Sequence, residues 1–342
     1  MDDFSLIRPL EEASSQTPPA PDRETRAEAA LARRQTRLAR LVASHQQEAP
    51  TYSPSSGLLD AVDVALSLGR PLLLTGDPGT GKTLAAFWVT ERLRLGDVLE
   101  FHVKSDSRAG DLLYTFDAVT WFRRANLAQG PVPKTQDIEP GPLGLAFGWN
   151  GALEKPRVVL VDEIDKAPRD FPNDLLRELD QMRFTVRETG REVTCPSDKR
   201  PIIVITSNSE RRLPDPFLRR CVQHRIKLDV TDVVNILRVR LGSLRRAPGG
   251  DGDLGDAEKE LFEVAAGLWQ DVVSLPAGAG KRFSLDELWR WLALVTLNHS
   301  APADLRVFAE LLRKRDLKDR RLYTDTFLRA EDVATLIRKS GE

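Results

Sequence analysis

A glycine-rich octapeptide that ends in Lys-Thr could bind phosphate. It runs from Gly76 to Thr83, after the apolar run Leu72–Leu74 and before the helix-favouring run Leu84–Phe87. Glycines let successive backbone N–H groups converge on phosphate oxygens, and the following helix adds the positive end of its dipole. Lys82 can neutralise the β- and γ-phosphates, and the Thr83 hydroxyl can ligate Mg²⁺. The strand, loop and helix order predicts a phosphate-binding loop. The residues predicted to contact a nucleotide here are Gly76, Asp77, Pro78, Gly79, Thr80, Gly81, Lys82, Thr83 and Leu84.

Two carboxylates follow a second apolar run, Val158–Val161. Asp162 and Glu163 stand at its C-terminal end, where ligands bind in open α/β sheets. Asp162 is predicted to hold Mg²⁺, and Glu163 to orient and activate the attacking water. A third apolar run leads to Asn208, whose amide could hydrogen-bond water or the γ-phosphate at the same edge. Without the phosphate loop, the two carboxylates would be explained equally well by a strand that runs into an acidic surface loop. Asn208 alone would be an ordinary turn residue.

Short apolar runs alternate with helical segments up to Val230, which predicts a parallel β-sheet covered on both faces. The strand signals then stop and helical periodicities take over. Ser284, with Glu287 three residues on, predicts a capping box at the start of one helix. The predicted domains are a flexible tail and helix over residues 1–50, an α/β domain over 51–229 and an all-helical domain over 230–342. The predicted strands are Pro71–Thr75, Val98–Val103, Val158–Val161, Ile202–Thr206 and His224–Leu228.

The composition excludes several classes of protein. The chain has 342 residues and a formal net charge of -1, so no overall field attracts nucleic acid or an anionic membrane. Cys195 and Cys221 lie in no metal-ligand spacing, which disfavours a disulfide framework and a structural zinc site. There is neither a signal-like N-terminus nor an apolar stretch of about 18 residues, so we expect a soluble, cytoplasmic protein.

The N-terminal fifty residues divide into two parts. Residues 1–22 are acidic and rich in Ser, Thr and Pro, which predicts a flexible tail. The segment Arg23–Gln47 is rich in Ala, Leu and Arg and carries an apolar stripe, which predicts a helix. That stripe must pack either on its own chain or on a neighbouring subunit.

Taken together, these motifs resemble the AAA+ ATPases and, within them, the MoxR-like branch. Gly76–Thr83 matches Walker A, Val158–Glu163 matches Walker B, and Asn208 matches sensor 1. The segment Phe184–Val193 alternates apolar and polar residues around a glycine turn and resembles the pre-sensor 1 β-hairpin. The resemblance covers residues 55–340 and implies a three-layer α/β domain with a parallel five-stranded sheet and an inserted β-hairpin, followed by an all-helical lid domain.

The resemblance also implies site residues outside the Walker motifs. Leu213–Cys221 resembles the segment that carries the arginine finger, in which Arg220 takes the finger position and Arg219 is the alternative. Such a guanidinium reaches the γ-phosphate of the adjacent subunit and therefore requires an oligomer. Lys281 and Arg282 resemble sensor 2, with Arg282 preferred because its planar fork suits phosphate.

The function implied by the resemblance is Mg²⁺-dependent ATP hydrolysis between subunits of a homo-oligomeric, hexameric ring. The ring would remodel a partner protein, such as one with a von Willebrand type A domain. A DNA-directed motor is an alternative because Arg183, Arg187 and Arg191 make the predicted hairpin basic, although Glu188 and Glu192 partly offset them. A further alternative is a nucleotide-gated switch in a bacterial defence system, in which slow hydrolysis sets an assembly state.

Overall fold

The computed structural model describes residues 44–128, 130–208, 211–245, 255–273 and 284–298, with residue 28 and five positions between 302 and 310. The chain divides into two compact units. One unit is Tyr52–Lys227, and the other joins the described residues before Tyr52 to those from Leu228 onward. The predicted tail, most of the predicted helix Arg23–Gln47 and the pair Lys281 and Arg282 lie outside the described residues.

Strands and helices alternate through the unit Tyr52–Lys227. The strands are β1 Leu72–Thr75, β2 Leu99–His102, β3 Tyr114–Phe116, β4 Ile138–Pro140, β5 Val158–Asp162, β6 Arg183–Thr185, β7 Glu192–Thr194, β8 Ile202–Ser207 and β9 Val222–Arg225. The helices are Ser56–Leu68, Lys82–Arg92, Ala118–Leu127, Pro142–Ala146, Phe171–Asp174, Leu176–Gln181 and Asp215–Leu218. Short 3₁₀ turns cover Ala109–Leu112, Lys134–Asp137, Ile164–Lys166 and Ser197–Lys199.

The principal sheet has five parallel strands in the order β2-β5-β8-β1-β9, which confirms the predicted fold class. The three inner strands are apolar along most of their length and buried on both faces, as expected for a parallel sheet between helices. Thr75 lies opposite Ser207, and His102 lies opposite Asp162. The strands therefore deliver the predicted site residues to the same edge of the sheet.

Two predicted elements of this unit differ from the structure by more than one residue at an end. The last strand is Val222–Arg225 rather than His224–Leu228, because the Val222 N–H donates to the Pro71 carbonyl at 2.8 Å and sets the pairing with β1. In this edge strand alternate residues are half-buried and the others exposed, so it carries no continuous apolar run. The sequence after the acidic pair also predicts a helix from Asn173 to Met182. In the structure this segment forms two short helices, Phe171–Asp174 and Leu176–Gln181, which are divided at Leu175.

Two small antiparallel hairpins lie outside the principal sheet. The pairing of β6 with β7, with Phe184 opposite Val193, confirms the predicted inserted hairpin. The pairing of β3 with β4, with Thr115 opposite Glu139, was not predicted. Its strands have only three residues each, which is too short for an alternating pattern to stand out.

The second unit is helical in the described residues from Leu228 onward. Its helices are Val230–Arg245, Asp256–Val273 and Leu285–Asn298, and their core includes Trp269, Phe262 and Leu288. The predicted capping box is confirmed: the Ser284 N–H donates to Glu287 Oε2 at 2.6 Å, and the Glu287 N–H donates to Ser284 Oγ at 3.2 Å. Among the described residues, no helix combines the length and the apolar character that crossing a membrane demands.

A short N-terminal segment belongs to this helical unit. Ser44 has extended backbone angles and caps a separate helix, His45–Glu48, so the helix predicted over Arg23–Gln47 does not continue unbroken to its end. Arg240 Nη2 donates to Glu48 Oε2 at 2.6 Å, and both side chains are more than four-fifths buried. This ion pair ties the segment to the helix Val230–Arg245 of the same chain.

Candidate active site

The phosphate-binding loop joins β1 to the helix Lys82–Arg92, and its glycines are required by shape. Gly76, Gly79 and Gly81 have φ angles of 151°, 79° and 85°, which side-chain-bearing residues rarely adopt. A Cβ on Gly76 would stand 2.7 Å from the Ile226 carbonyl oxygen, and a Cβ on Gly81 would stand 2.8 Å from the Tyr52 ring. The loop is therefore closely packed against its neighbours, and Tyr52 is a contact that the motif alone did not indicate.

Lys82 is buried inside the curve of this loop. Its Nζ donates to the carbonyl oxygens of Gly76 at 2.9 Å and Asp77 at 2.8 Å, and the residue is 6% exposed. Burial lowers the pKa of Lys82, and the nearby carboxylates, Asp77 first and then Asp162, oppose that shift. A phosphate oxygen arriving at the loop would give this ammonium a charged acceptor in place of neutral carbonyls.

Thr83 and Asp162, the two residues predicted to hold Mg²⁺, are in contact at the tip of β5. Thr83 Oγ1 donates to Asp162 Oδ1 at 2.9 Å. A hydroxyl and a carboxylate are the hard oxygen ligands that Mg²⁺ prefers, so this donor set fits the ion. Within the described residues there is no cluster of three or more His, Cys, Asp or Glu that could hold a metal. The arrangement suits an ion that keeps several waters and takes phosphate oxygens as ligands.

Thr206 of β8 links the Asp162 carboxylate to the backbone of Glu163, and sequence reasoning missed it. Its Oγ1 donates to Asp162 Oδ1 at 2.6 Å and accepts the Glu163 N–H at 2.8 Å, and the residue is 1% exposed. Its position two residues before Asn208 was the available signal, because a polar residue ending a buried strand needs a partner.

Glu163 carries the carboxylate predicted to activate water. Its backbone is left-handed, with φ 59° and ψ 51°, a conformation that costs a non-glycine residue about 1–2 kcal/mol. Asn208 Nδ2 donates to Oε1 at 3.2 Å, and Lys166 Nζ donates to Oε2 at 2.5 Å. The Asn208 N–H also donates to Asp165 Oδ1 at 3.2 Å. The structure thus brings the predicted sensor amide and the predicted base together, with Lys166 as an unpredicted third member.

The remaining predicted residues have other surroundings. Thr80 Oγ1 donates to the Asp77 carbonyl within the loop at 2.8 Å. Arg220 Nε donates to Asp180 Oδ2 at 2.9 Å and its Nη1 to the Pro216 carbonyl at 3.0 Å, so its described contacts are away from Glu163. Arg219 is exposed. Leu84 lies in the first turn of the helix Lys82–Arg92, and Pro78 lies in the loop itself.

The part of the chain that contains these residues matches the model of a known protein family. Residues 71–221 match the model described as AAA domain (dynein-related subfamily), which is less than half of the chain but contains the phosphate loop, the acidic pair, Asn208 and Arg220. No curated protein matches the sequence.

Solved structures that resemble the chain include NtrX from Brucella abortus. One crystal structure is 14% identical, with a TM-score of 0.47, and the match covers 93% of this chain and 66% of that one. Another, in complex with ADP, is 16% identical, with a TM-score of 0.39, and the match covers 91% of this chain and 59% of that one. The chain therefore spans less than two thirds of the length of either protein. The family match and the five-stranded parallel sheet thus identify an AAA domain within residues 71–221, of a family whose members are ATPases.

Proposed function

We propose that the protein hydrolyses ATP in a Mg²⁺-dependent reaction at the subunit interfaces of a homo-oligomeric, hexameric ring. The ring remodels or activates a partner protein, as MoxR-like chaperone ATPases do. The observation that carries the proposal is the pairing of Asn208 Nδ2 with Glu163 Oε1 at 3.2 Å across the tips of two neighbouring strands. An amide donor beside a carboxylate acceptor can orient one water molecule for attack.

In this reaction the loop N–H groups and Lys82 bind the β- and γ-phosphates. Thr83 and Asp162 hold Mg²⁺, which when bound neutralises charge on the phosphate oxygens. Glu163 accepts the proton of the attacking water, and Asn208 positions that water and the γ-phosphate. Because Lys166 occupies Glu163 Oε2, the carboxylate must exchange this partner before that oxygen can accept a proton.

A neighbouring subunit completes the site in this proposal. Arg220 acts in trans as the arginine finger, with Arg219 as the alternative, because both lie on a surface segment after the helix Asp215–Leu218. Arg282, or Lys281, supplies the sensor 2 charge from the helical domain. We assign residues 51–229 to the nucleotide-binding domain, residues 230–342 to the lid and residues 1–50 to an N-terminal extension, in a cytoplasmic protein.

A protein partner, such as one with a von Willebrand type A domain, is preferred to DNA because arginines of the β6–β7 hairpin are already paired within the chain. Arg183 Nη1 pairs with Glu192 Oε1 at 3.2 Å. Arg191 Nη2 donates to the Trp149 carbonyl at 2.7 Å, and its guanidinium lies 5.0 Å from the centroid of the Trp149 ring. Two of the three arginines therefore already have partners within the chain, which leaves the hairpin a weak site for phosphates.

Replacement of Glu163 by Gln tests the proposal. Glu163→Gln should lower kcat at least about 100-fold, the usual contribution of a general base, while ATP still binds. Steady-state ATPase assays and fluorescent-nucleotide titrations give the two quantities, and mass measurement by light scattering with ATP reports ring formation. The matched control is Glu154→Gln, an exposed residue that should behave as wild type. Rapid turnover by Glu163→Gln would refute the assigned role, and a monomer with bound ATP would refute the ring.

A further inference from the structure

The two small hairpins of the α/β unit face a common groove. Each hairpin is a two-stranded sheet, so β3 and β6 each have one neighbouring strand in the described residues and one open edge. A groove of about 800 Å³ is lined by Tyr114–Phe116 of β3 and Arg183–Thr185 of β6. An open strand edge presents backbone donors and acceptors that another chain can pair with.

The backbone groups that point away from each hairpin can be deduced from its hydrogen bonds. In β3, the Gly141 N–H donates to the Leu113 carbonyl and the Asp117 N–H to the Asp137 carbonyl, both at 2.9 Å. Along an antiparallel strand, residues that bond to the partner strand alternate with residues whose backbone groups point away from it. Leu113 and Asp117 bond to the β4 side, so the N–H and C=O of Tyr114 and Phe116 point outward.

The same reasoning applies to β6. The Cys195 N–H donates to the Met182 carbonyl at 2.9 Å, and the Val186 N–H donates to the Arg191 carbonyl at 2.8 Å. The backbone groups of Arg183 and Thr185 therefore point away from β7. On the opposite strand, Thr194 points its backbone groups toward the other edge of the hairpin.

An aromatic layer holds the two hairpins in place. The rings of Tyr114 and Phe184 stack with centroids 6.1 Å apart, and the Trp149 ring stacks on both at 6.0 and 6.1 Å. The Arg187 N–H also donates to the Tyr114 hydroxyl at 3.0 Å. β3 and β6 are thus connected through this aromatic layer without pairing with each other, and the groove between them stays open.

The charges of the groove match a polypeptide rather than a polyanion. Four arginines and four acidic residues line it, so there is no net positive field of the kind that nucleic acid requires. Glu178 Oε2 and Glu188 Oε2 are shielded from solvent and accept no hydrogen bond from the described residues. These two oxygens are covered by the chain itself, so an occupant of the groove meets exposed side chains instead, among them Arg183, Arg187 and Glu192.

We propose that an extended segment of the partner protein docks in this groove and pairs its backbone with the open edges of β3 and β6. The two hairpins and the docked segment then form one continuous sheet, a mode of recognition known as β-augmentation. Backbone pairing tolerates many sequences, while alternate side chains of the segment meet the charged walls. The inference rests on the proposed remodelling of a protein partner and specifies how that partner is held.

A matched pair of proline variants tests the inference in the full-length protein with a non-hydrolysable ATP analogue. Thr185→Pro removes the outward N–H from the groove edge, and Thr194→Pro makes the same change at the opposite edge; both threonines are exposed. The probe is fluorescein-labelled α-lactalbumin that has been reduced and carboxymethylated so that it stays unfolded. Fluorescence anisotropy should show binding weakened about tenfold or more by Thr185→Pro, the effect of losing at least one backbone hydrogen bond, and little changed by Thr194→Pro.

Amide hydrogen exchange on the wild-type protein tests the same inference without relying on whether the proline variants fold. Addition of the probe should protect the amides of Phe116, Arg183 and Thr185 and leave that of Thr194 unchanged. Wild-type affinity in Thr185→Pro without such protection would overturn the groove while leaving ATP-driven remodelling intact. Failure of the wild-type protein to bind the unfolded probe would overturn both, whereas failure of the ATPase function alone would show in the Glu163→Gln assay.

Discussion

Thr206 shows why the site depends on single residues outside the recognised motifs. Its hydroxyl donates to the Asp162 carboxylate and accepts the Glu163 N–H, so one buried side chain orients the proposed magnesium ligand and the strained backbone of the proposed base. The residue types of the phosphate loop, by contrast, can be explained from the loop alone. Its glycines are needed for positive φ, and its lysine is needed for phosphate charge.

Replacement of Lys82 by Met should abolish nucleotide binding without lowering the stability of the protein. Burial lowers the pKa of Lys82, which means that the folded protein disfavours the charged form, and a neutral side chain relieves that cost. The apo melting temperature of Lys82→Met should therefore equal or exceed that of the wild type. The rise in melting temperature that ATP and Mg²⁺ give the wild type should disappear, because the variant no longer binds the nucleotide.

Thermal unfolding with and without ATP makes this comparison. Lys104→Met is the matched control, since Lys104 is exposed and its described hydrogen bonds involve only its backbone N–H and C=O. An ATP-dependent stabilisation of Lys82→Met equal to that of the wild type would contradict the role of Lys82 in phosphate binding.

At the scale of elements, the helix Pro142–Ala146 is positioned by contact between backbones. A Cβ on Gly144 would stand 2.1 Å from the Leu113 carbonyl oxygen, and a Cβ on Gly141 would stand 2.3 Å from that of Asp111. The helix can approach the chain before β3 only because these two positions lack side chains. This packing fixes where the β3–β4 hairpin begins, and so sets one wall of the groove.

Replacement of Gly144 by Ala should destabilise the protein although alanine favours helices. The added methyl cannot fit against the Leu113 carbonyl, and overpacking of this kind costs about 1–3 kcal/mol, more than the roughly 1 kcal/mol gained in helix propensity. Urea denaturation should show the loss in the free energy of unfolding. Gly110→Ala is the control, because nothing lies within 4 Å of the corresponding Cβ position. Equal stability of the two variants would contradict the close approach.

The inner strands of the sheet were predicted well, and the outer elements less well. Central parallel strands are buried on both faces, so Val158–Val161 and Ile202–Ile205 are continuous apolar runs that a sequence displays directly. The edge strand Val222–Arg225 alternates between half-buried and exposed residues, and its predicted bounds lay two residues too late at the start and three too late at the end. The strands of β3 and β4 are too short for any period to be recognised.

At the scale of the whole molecule, the proposed finger makes activity a property of a subunit pair. In the structure Arg220 pairs with Asp180, and both side chains are more than two-fifths exposed, so such an ion pair contributes little stability and can be exchanged. A γ-phosphate of a neighbouring subunit would offer the guanidinium a stronger, bidentate partner.

Mixing two inactive variants should restore ATPase activity. Arg220→Ala retains Glu163 but lacks the finger, and Glu163→Gln retains the finger but lacks the base. In an equal random mixture, about a quarter of the interfaces contain both intact groups, so about a quarter of the wild-type rate should return if each interface works independently. Activity of Arg220→Ala alone, or no recovery on mixing, would argue against a trans finger. Arg219→Ala in place of Arg220→Ala tests the alternative residue.

The sequence by itself determined the nucleotide chemistry and the class of fold. A phosphate loop needs glycines, a lysine and a threonine at fixed spacing between a strand and a helix, and the acidic pair must follow a buried strand. Both patterns can therefore be recognised in the sequence without a structure. Only the tertiary structure decided which distant residues complete the site and the groove. Thr206 meets Asp162 and Glu163 because β8 pairs beside β5, and β3 faces β6 because aromatic rings separated by many residues stack together. Such contacts depend on the order of strands and on packing, which local patterns do not specify.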